Sequence, residues 1–315
     1  MILVSRHLEP PEASPEPTRH EPVLLQEVVQ CLAPERGGLF VDATVGGGGH
    51  AEALLEAGPG IRLLALDRDA QAITRSRERL ARFGERVEFV HAPFSALGSL
   101  LGAGGRGQVA GILADIGVSS DQLDDRHRGF SFQQDGPLDM RMDRTMQKTS
   151  AAVLLANASE DDIEEWLREY GEERYSRRLA HAIVQQRRYG PLLRTSQLAD
   201  LVERTVPRGR APIHPATRTF QALRIVVNRE LDELDALLDQ APACLEVAGR
   251  MAVISFHSLE DRRVKEVFRA EAQSGRCADL LPGGVRPSHA EVRANPRSRS
   301  ARLRAIQRLQ PMPLA

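Results

Sequence analysis

Two short stretches of the sequence carry residues whose types and spacing suit the binding of a nucleoside-containing ligand. In the first, the apolar run Leu39–Val41 is followed by Asp42 and then by four consecutive glycines, Gly46–Gly49, before a helical pattern begins. Glycines in such a turn permit positive φ and let a ligand approach main-chain N–H groups at the positive end of a helix dipole. In the second, the run 62–66 ends in Asp67, a carboxylate placed to accept hydrogen bonds from a ribose diol. Together the two stretches predict a cofactor site.

The identity of that cofactor stays open on these residues alone. The spacing Gly46-x-Gly48-x-x-Ala51 also satisfies a loose dinucleotide fingerprint. An NAD(P)-dependent oxidoreductase therefore stands beside a methyltransferase that uses S-adenosylmethionine (SAM). A tight turn without a ligand is the structural alternative, and Asp67 argues against it.

The elements that must position these residues alternate between strand and helix. Apolar runs end near Asp42, Asp67, His91 and Asp115, and helical patterns separate them. This order predicts an α/β fold with a parallel, doubly wound sheet and right-handed crossovers. Ligands bind such sheets at the carboxyl ends of the strands, where Asp42, Asp67, Phe94 and Asp115 are expected to lie.

Further along the chain the alternation gives way to a long loop and helices. Residues 116–143 are too polar and too rich in glycine for a core element, and a loop of this length at the ligand edge of a sheet usually has a function. Ser159 opens a helix with a capping-box pattern, and one long helix is expected from Ala216 to about Leu238. The run Met251–Phe256 then predicts that the sheet resumes.

Composition excludes several classes of protein. The net charge is −1, so any nucleic-acid surface must be a local one, such as the segment 286–308 with its seven arginines. Cys31, Cys244 and Cys277 are odd in number and lack metal-ligand spacing, which argues against a disulfide framework and a zinc site. No apolar run has the length of a signal peptide or a membrane span. We therefore expect a cytoplasmic protein without a membrane or metal partner.

Several longer blocks resemble one known family. From about His20 to the C-terminus the sequence is similar to the RsmH (MraW) family, bacterial SAM-dependent methyltransferases that act on the exocyclic 4-amino group of a cytidine in the decoding region of 16S ribosomal RNA. The blocks that carry the resemblance are DIGVSSDQLD (115–124), RGFSF (128–132), PLDMRMD (137–143), HPATRTFQALR (214–224), SFHSLEDR (255–262) and NPRSR (295–299).

The resemblance implies a Rossmann-like methyltransferase domain interrupted by a helical substrate domain, with SAM as the cofactor. It divides the chain into a disordered arm (1–20), the first part of the methyltransferase domain (21–129), an all-helical substrate-recognition insertion (130–215) and the second part of the methyltransferase domain with the Arg-rich segment (216–315). The cofactor contacts that it implies are Gly48, Gly49, His50, Asp67, Phe94, Asp115 and Gln122.

The substrate side is less well defined. Asp115 stands where amino-methyltransferases place their substrate-facing acid, but the usual Pro-Pro-aromatic continuation is replaced by Ile-Gly-Val. We therefore propose that Phe130 or Phe132 stacks the target base, the alternative being that both rings anchor the loop. His257 could line the pocket or be structural, and loop acids such as Asp124 and Asp143 are expected to be solvated rather than to bind a metal.

The partner implied by the resemblance is 16S rRNA within the small ribosomal subunit, with homodimer formation left open. We expect its phosphates to contact Arg208, Arg210, Arg218 and the C-terminal arginines, among them Arg297 and Arg299. A nucleic-acid-binding scaffold with a degenerate SAM site is the remaining alternative.

Overall fold

The fold is built on one sheet. The computed structural model describes residues 22–103, 105–207 and 214–311, so the predicted arm over 1–20 lies outside the described residues. Within them, seven strands pair in the order β3-β2-β1-β4-β5-β7-β6. They are β1 (Gly38–Asp42), β2 (Ile61–Asp67), β3 (Val87–His91), β4 (Val109–Asp115), β5 (Leu245–Ser255), β6 (Cys277–Asp279) and β7 (Arg302–Arg308). Strands β3, β2, β1, β4 and β5 are parallel, which confirms the predicted doubly wound sheet.

Helices cover both faces of the sheet. They are α1 (Leu25–Leu32), α2 (Gly49–Ala57), α3 (Ala70–Leu80), α4 (Leu97–Ala103), α5 (Ser120–Asp124), α6 (Ala151–Asn157), α7 (Glu160–Glu169), α8 (Ser176–Gln186), α9 (Thr195–Thr205), α10 (Ala216–Asn228), α11 (Glu230–Cys244), α12 (Ser258–Gln273) and α13 (His289–Ala294). One buried apolar cluster packs α1, α2 and α3 on the sheet, and another packs α4, α11 and α12 on it. No described helix is at once long enough and apolar enough to cross a membrane.

The topology of the sheet fixes where a ligand can bind. The chain builds β1, β2 and β3 in one direction and then crosses to β4 on the other side of β1. Such a reversal leaves a crevice at the carboxyl ends of the two strands that flank it. Asp42 ends β1 and Asp115 ends β4, so the crevice opens between two carboxyl groups.

The C-terminal strand was not foreseen. The sequence suggested a basic surface segment over 286–308, whereas β7 is antiparallel to β5 and lies between β5 and β6. Leu303, Ala305 and Ile306 are completely buried. Arg304 and Arg308 are buried in the strand as well, and they hid it because a strand buried on both faces is normally a continuous apolar run.

The predicted single helix from Ala216 to about Leu238 is wrong, because the structure divides it into α10 and α11 at Arg229. Arg229 adopts a left-handed conformation with φ 50°. The preceding Asn228 is fully buried; its Oδ1 accepts the Met142 N–H at 2.8 Å, and its Nδ2 donates to the Met140 carbonyl at 2.7 Å. These bonds stabilise the break and fasten the long loop to the helix.

A third buried cluster holds helices α6 to α10 together with the loop residues Phe130, Leu138, Met140 and Met142. This cluster continues into α10 as far as Val227, past the predicted boundary at residue 215. The division into domains therefore remains a prediction, while the helical packing itself is a property of the structure. Ser159 caps α7 as expected, with Asp162 completing the capping box.

The three cysteines are buried free thiols. Burial raises the pKa of Cys31, Cys244 and Cys277 to about 11 in each case. Because the thiolate is the reactive form, these residues behave as small apolar groups at neutral pH.

Gly129 provides a test of how tightly the long loop is packed. Its φ is +73°, and a Cβ there would lie 2.1 Å from the Pro137 carbonyl oxygen. Gly129→Ala should therefore lower the free energy of unfolding by at least about 3 kcal/mol, since strain and main-chain overlap combine. Gly275→Ala is the control, because Gly275 has φ +72° but open space around it, and should cost about 1 kcal/mol. Urea unfolding measures both, and equal losses would show that the loop adapts.

Candidate functional site

Asp115 is the central acid of the crevice. It ends β4, and its main-chain N–H donates to Thr44 Oγ1 at 2.6 Å, which joins the ends of β4 and β1. Its side chain is 26% exposed, yet Oδ1 is buried and has no hydrogen-bond partner among the described residues. Burial, together with the charges of Asp42 and Glu260, raises the pKa of Asp115 to about 8. A buried acceptor without a partner, at the edge of the sheet where ligands bind, indicates a site for a hydrogen-bond donor of the ligand.

Two further carboxyl groups accompany Asp115 on neighbouring strands. Asp42 is buried and accepts the Thr44 N–H at 3.1 Å, while burial raises its pKa to about 7. Asp67 accepts the Asp69 N–H at 2.8 Å and the Gly46 N–H at 2.9 Å, and burial raises its pKa to about 6. Each oxygen of Asp67 keeps a lone pair, so the side chain can still accept from ribose hydroxyls.

His50 closes one side of the crevice. Its Nε2 lies 2.9 Å from the Val23 carbonyl oxygen, so Nε2 carries the proton and donates it. Burial lowers the pKa of His50 to about 4, which keeps the ring neutral at physiological pH. The unprotonated Nδ1 then faces Asp115 Oδ2 at 3.6 Å. His50 therefore connects the start of the described chain to the central acid.

The electrostatics of the crevice discriminate between cofactors. Three carboxyl groups with raised pKa values share one edge of the sheet, so a bound positive charge would favour their ionised forms. SAM carries a sulfonium and an ammonium group, which fit this requirement. A dinucleotide would instead bring a negatively charged pyrophosphate towards Asp42 and Asp115. The residues present fit SAM.

Two of the four glycines in the turn, Gly48 and Gly49, have a structural reason. Gly48 caps α2 with φ +80°, and a Cβ on Gly49 would lie 2.4 Å from Pro22 Cγ. A Cβ on Gly47 would meet nothing within 4 Å, so a larger residue could stand there. The contacts of Gly48 and Gly49 with a cofactor remain predictions, but the turn lies where the prediction places it.

Phe94 and Gln122 lie on the flanks of the site. Phe94 is buried at the turn after β3, beside Leu97, and offers an apolar wall. Gln122 is buried as well; its Oε1 accepts the Ser119 N–H at 3.0 Å and its Nε2 donates to Asp69 Oδ2 at 2.9 Å. The side chain of Gln122 is thus engaged within the protein, and its predicted contact with the cofactor would use its remaining hydrogen-bonding capacity.

Sequence reasoning missed the ion pair that anchors this flank. Arg128, buried to 3% exposure, donates to Asp69 Oδ2 at 2.9 Å and to the Met142 carbonyl at 2.7 Å. Asp69 also caps α3. The pair fastens the long loop to the end of β2. In the sequence Asp69 and Arg128 are ordinary charged residues. Their burial identifies them as an anchoring pair, and the burial of a loop residue cannot be predicted from the sequence pattern.

The structure treats the two candidate stacking rings differently. Phe130 is 6% exposed, packs in the helical cluster and lies 5.9 Å from the Arg128 guanidinium, which favours the anchoring role. Phe132 is half-buried, and its ring lies 4.6 Å from His214 and 4.9 Å from Phe220. Phe132 thus belongs to an aromatic cluster, and part of its side chain stays accessible to solvent.

A second polar group lies beside Asp115 at the end of β5. His257 caps α12, and its Nε2 lies 3.1 Å from the buried Glu260 Oε1. Glu230 belongs to the same group, and its ligand atom lies within 4.8 Å of those of His257 and Glu260. Glu230 already binds the Arg224 guanidinium at 2.9 Å, so a positive charge is supplied there by the chain itself.

The loop acids considered as metal ligands are paired with cations or hydrogen-bond donors. Asp143 contacts His91 at 3.1 Å, and Asp139 contacts Arg141 at 2.7 Å. Asp135 binds Arg194, and Asp124 binds Arg297. These pairs give the acids a structural role in the long loop.

The arginines expected to contact RNA separate into two groups. Arg297 grips both oxygens of Asp124, and Arg304 binds Asp261 at 2.7 Å, so both have partners within the protein. Arg218 and Arg299 are exposed. Arg208 and Arg210 lie outside the described residues.

A family model and the most similar curated relatives indicate the same family. The model of the MraW methylase family matches residues 17–309. The ribosomal RNA small subunit methyltransferase H of Syntrophotalea carbinolica is 50% identical, over 92% of this chain and 98% of the relative. The protein of the same name from Cyanothece sp. is 50% identical, over 95% and 98%. Among solved structures, an rRNA methylase from Streptococcus thermophilus aligns with a TM-score of 0.41 and 14% identity, over 90% of this chain and 95% of that one.

The raised pKa of Asp115 leads to a prediction about stability. The folded state holds this proton up to about pH 8, against an ordinary carboxyl pKa of 3.8, so stability is lost as the pH rises between these values. Asp115→Asn removes that loss. In the absence of ligand the variant should match the wild type near pH 4 and exceed it at pH 8. Because the Asp115 side chain is 26% exposed and solvent screens its charge, we expect a gain on the order of 2 kcal/mol, less than the two pKa values alone imply, or about 4–8 °C in Tm.

Thermal unfolding followed by circular dichroism across this pH range provides the measurement. Asp232→Asn is the matched control, because Asp232 is exposed and its ion pair is with the exposed Arg229. A gap between Asp115→Asn and the wild type that does not change with pH would contradict the assignment.

Proposed function

The chain belongs to the MraW methylase family, and we propose that it methylates the exocyclic 4-amino group of a cytidine in the decoding region of 16S rRNA within the small ribosomal subunit. SAM is the methyl donor, and the chain is an rRNA methyltransferase. Membership of this family argues against the alternative of an NAD(P)-dependent oxidoreductase. The observation that carries the proposal for this chain is the crevice itself, with three carboxyl groups at adjacent strand ends and an unsatisfied Asp115 Oδ1.

The reaction requires a nucleophile that the free base does not offer. The lone pair of a cytosine amine is delocalised into the ring, and SAM supplies a methyl group on a positively charged sulfur. The protein must hold the amine nitrogen in line with that methyl group and exclude water. It must also stabilise the positive charge that grows on the nitrogen.

Asp115 is the group placed for this task. Its buried Oδ1 can accept an N–H of the target amine, which returns electron density to the nitrogen. The carboxylate form is needed, and a cationic ligand in the crevice would favour it by lowering the pKa from its value of about 8. The neutral His50 leaves this charge uncompensated, so the carboxylate stays available to the substrate.

Phe132 is our choice for the ring that stacks the target base. It is partly open, whereas Phe130 is enclosed, and it lies on the long loop that follows the end of β4. Edge-to-face packing on Phe220 fixes its orientation. An extruded base is commonly held on such an aromatic surface.

Methyl transfer from labelled SAM to small ribosomal subunits that lack the modification tests the proposal. Nucleoside analysis should find the label in 4-N-methylcytidine. Label in another nucleoside would overturn the proposed atom. SAM binding by calorimetry without any transfer would favour the scaffold alternative.

Asp115→Asn should lower kcat in this assay by about 10²–10³-fold, because the amide cannot stabilise the developing charge as a carboxylate does. SAM binding by the variant must be measured alongside, so that loss of the cofactor is not mistaken for loss of chemistry. Asp232→Asn is again the control with wild-type turnover expected. Near-native kcat in Asp115→Asn would remove Asp115 from the chemistry.

Phe132→Ala should raise KM for the subunit by about tenfold, since stacking on one base contributes roughly 1–3 kcal/mol. Phe132→Tyr keeps the ring and should retain most activity. If Phe132→Ala behaves like the wild type in KM and kcat, the stacking assignment is wrong.

A further inference from the structure

A groove of about 440 Å³ lies between α12 and the outer strands β6 and β7, apart from the crevice. Phe268 forms part of its wall. Four cationic side chains line it, and a single carboxylate, Asp279, faces them. The cations are Lys265, Arg269, Arg302 and Arg304. A concave surface with this excess of positive charge attracts anions.

The four cations are not equally occupied. Arg304 binds Asp261 at 2.7 Å, and Arg302 approaches the same carboxylate at 3.5 Å. Lys265 and Arg269 are exposed and make no hydrogen bond or ion pair with any described residue. They stand four residues apart on α12 and therefore on the same face, one turn from each other. Two unpaired charges thus point towards the same groove.

The groove begins at the ligand edge of the sheet. Arg302 pairs in register with Ser255, the last residue of β5, which is followed by the cap of α12 at His257. Lys265 lies seven residues beyond the first residue of α12, about 10 Å along the helix axis. A chain of phosphates leaving the crevice over the end of β5 would meet Arg302 first and then Lys265 and Arg269.

We propose that this groove binds phosphodiester groups of the rRNA substrate next to the target nucleotide, an inference that rests on the proposed function. Arginine offers a planar fork to phosphate oxygens and lysine a point charge, so the pair suits a polyanion that passes along the helix. The C-terminal arginine Arg297, expected from the sequence to make such contacts, is instead held by Asp124. The groove thus places the contact on α12, where the sequence drew no attention.

The test compares Lys265→Gln, Arg269→Gln and the double variant with Arg62→Gln. Arg62 is also an exposed arginine without a partner among the described residues, but it lies near the start of β2, at the opposite end of the strands from the crevice. Binding to unmodified small ribosomal subunits is measured as a function of salt concentration, together with kcat and KM for methyl transfer. Circular dichroism verifies that all variants fold.

Each groove variant should reduce the slope of log K against log salt by about 1 and weaken binding at low salt by on the order of fivefold. The double variant should show about twice the change in slope, with KM raised and kcat retained. Arg62→Gln should match the wild type in both respects.

If the wild type binds subunits and transfers methyl groups but the groove variants leave the slope of log K against log salt unchanged, the groove assignment is overturned and the proposed function stands. Inorganic phosphate that binds the wild type but not the double variant, with RNA binding unaffected, would make the groove a site for a small anion and equally overturn it. A wild type that binds SAM but neither binds nor methylates subunits would overturn the proposed function, and the groove assignment with it.

Discussion

The main physical constraint on the structure is the free-energy cost of burying three carboxyl groups at one edge of a parallel sheet. Asp42, Asp67 and Asp115 end adjacent strands, and burial there raises the pKa of each of them. Main-chain N–H groups donate to Asp42 and Asp67, whereas one oxygen of Asp115 has no partner in the described part of the chain. The sheet therefore concentrates unfavourable free energy at the place where a positively charged ligand relieves it. The free energy of unfolding that the free protein loses in this way contributes to ligand binding and to catalysis in the complex.

The long loop over this edge is held by buried polar anchors rather than by secondary structure. Arg128 binds Asp69 at the end of β2, and Asn228 binds two main-chain groups of the loop from the end of α10. Removing only one partner of a buried ion pair, or of a buried hydrogen-bonded amide, strongly destabilises the fold. These anchors accordingly fix the loop in one arrangement, in which the Phe132 ring packs against His214 and Phe220.

Local patterns were sufficient to predict the first half of the sheet. The glycine turn, Asp67 and Asp115 were found in the sequence because strand, turn and helix follow one another within a few residues there. The resemblance to the MraW family added the identity of the cofactor, and the family comparisons agree with it. The roles of individual site residues remain predictions, although burial now favours Phe132 over Phe130 for base stacking.

What escaped prediction is long-range. The break at Arg229 depends on Asn228 reaching a loop more than 80 residues earlier in the chain. The pair between Asp69 and Arg128 spans 59 residues. The groove beside α12 exists only because β7 returns to pair with β5. No periodicity in a window of ten or fifteen residues carries information about such pairings.

The position of β7 also has a consequence for biosynthesis. Among the described residues, strand β6 joins the sheet only through β7, and β5 pairs with β7 over Arg250–Ser255. Because Arg302–Arg308 follows the six other described strands in the chain, β5 keeps an open edge until these residues have been synthesised. Vectorial folding can complete β1 to β4 on the ribosome, but the sheet closes only after the last strand has left the exit tunnel. A chain that ends before Arg302 would lose the strand that separates β5 from β6, and β6 would then have no strand to pair with among the described residues.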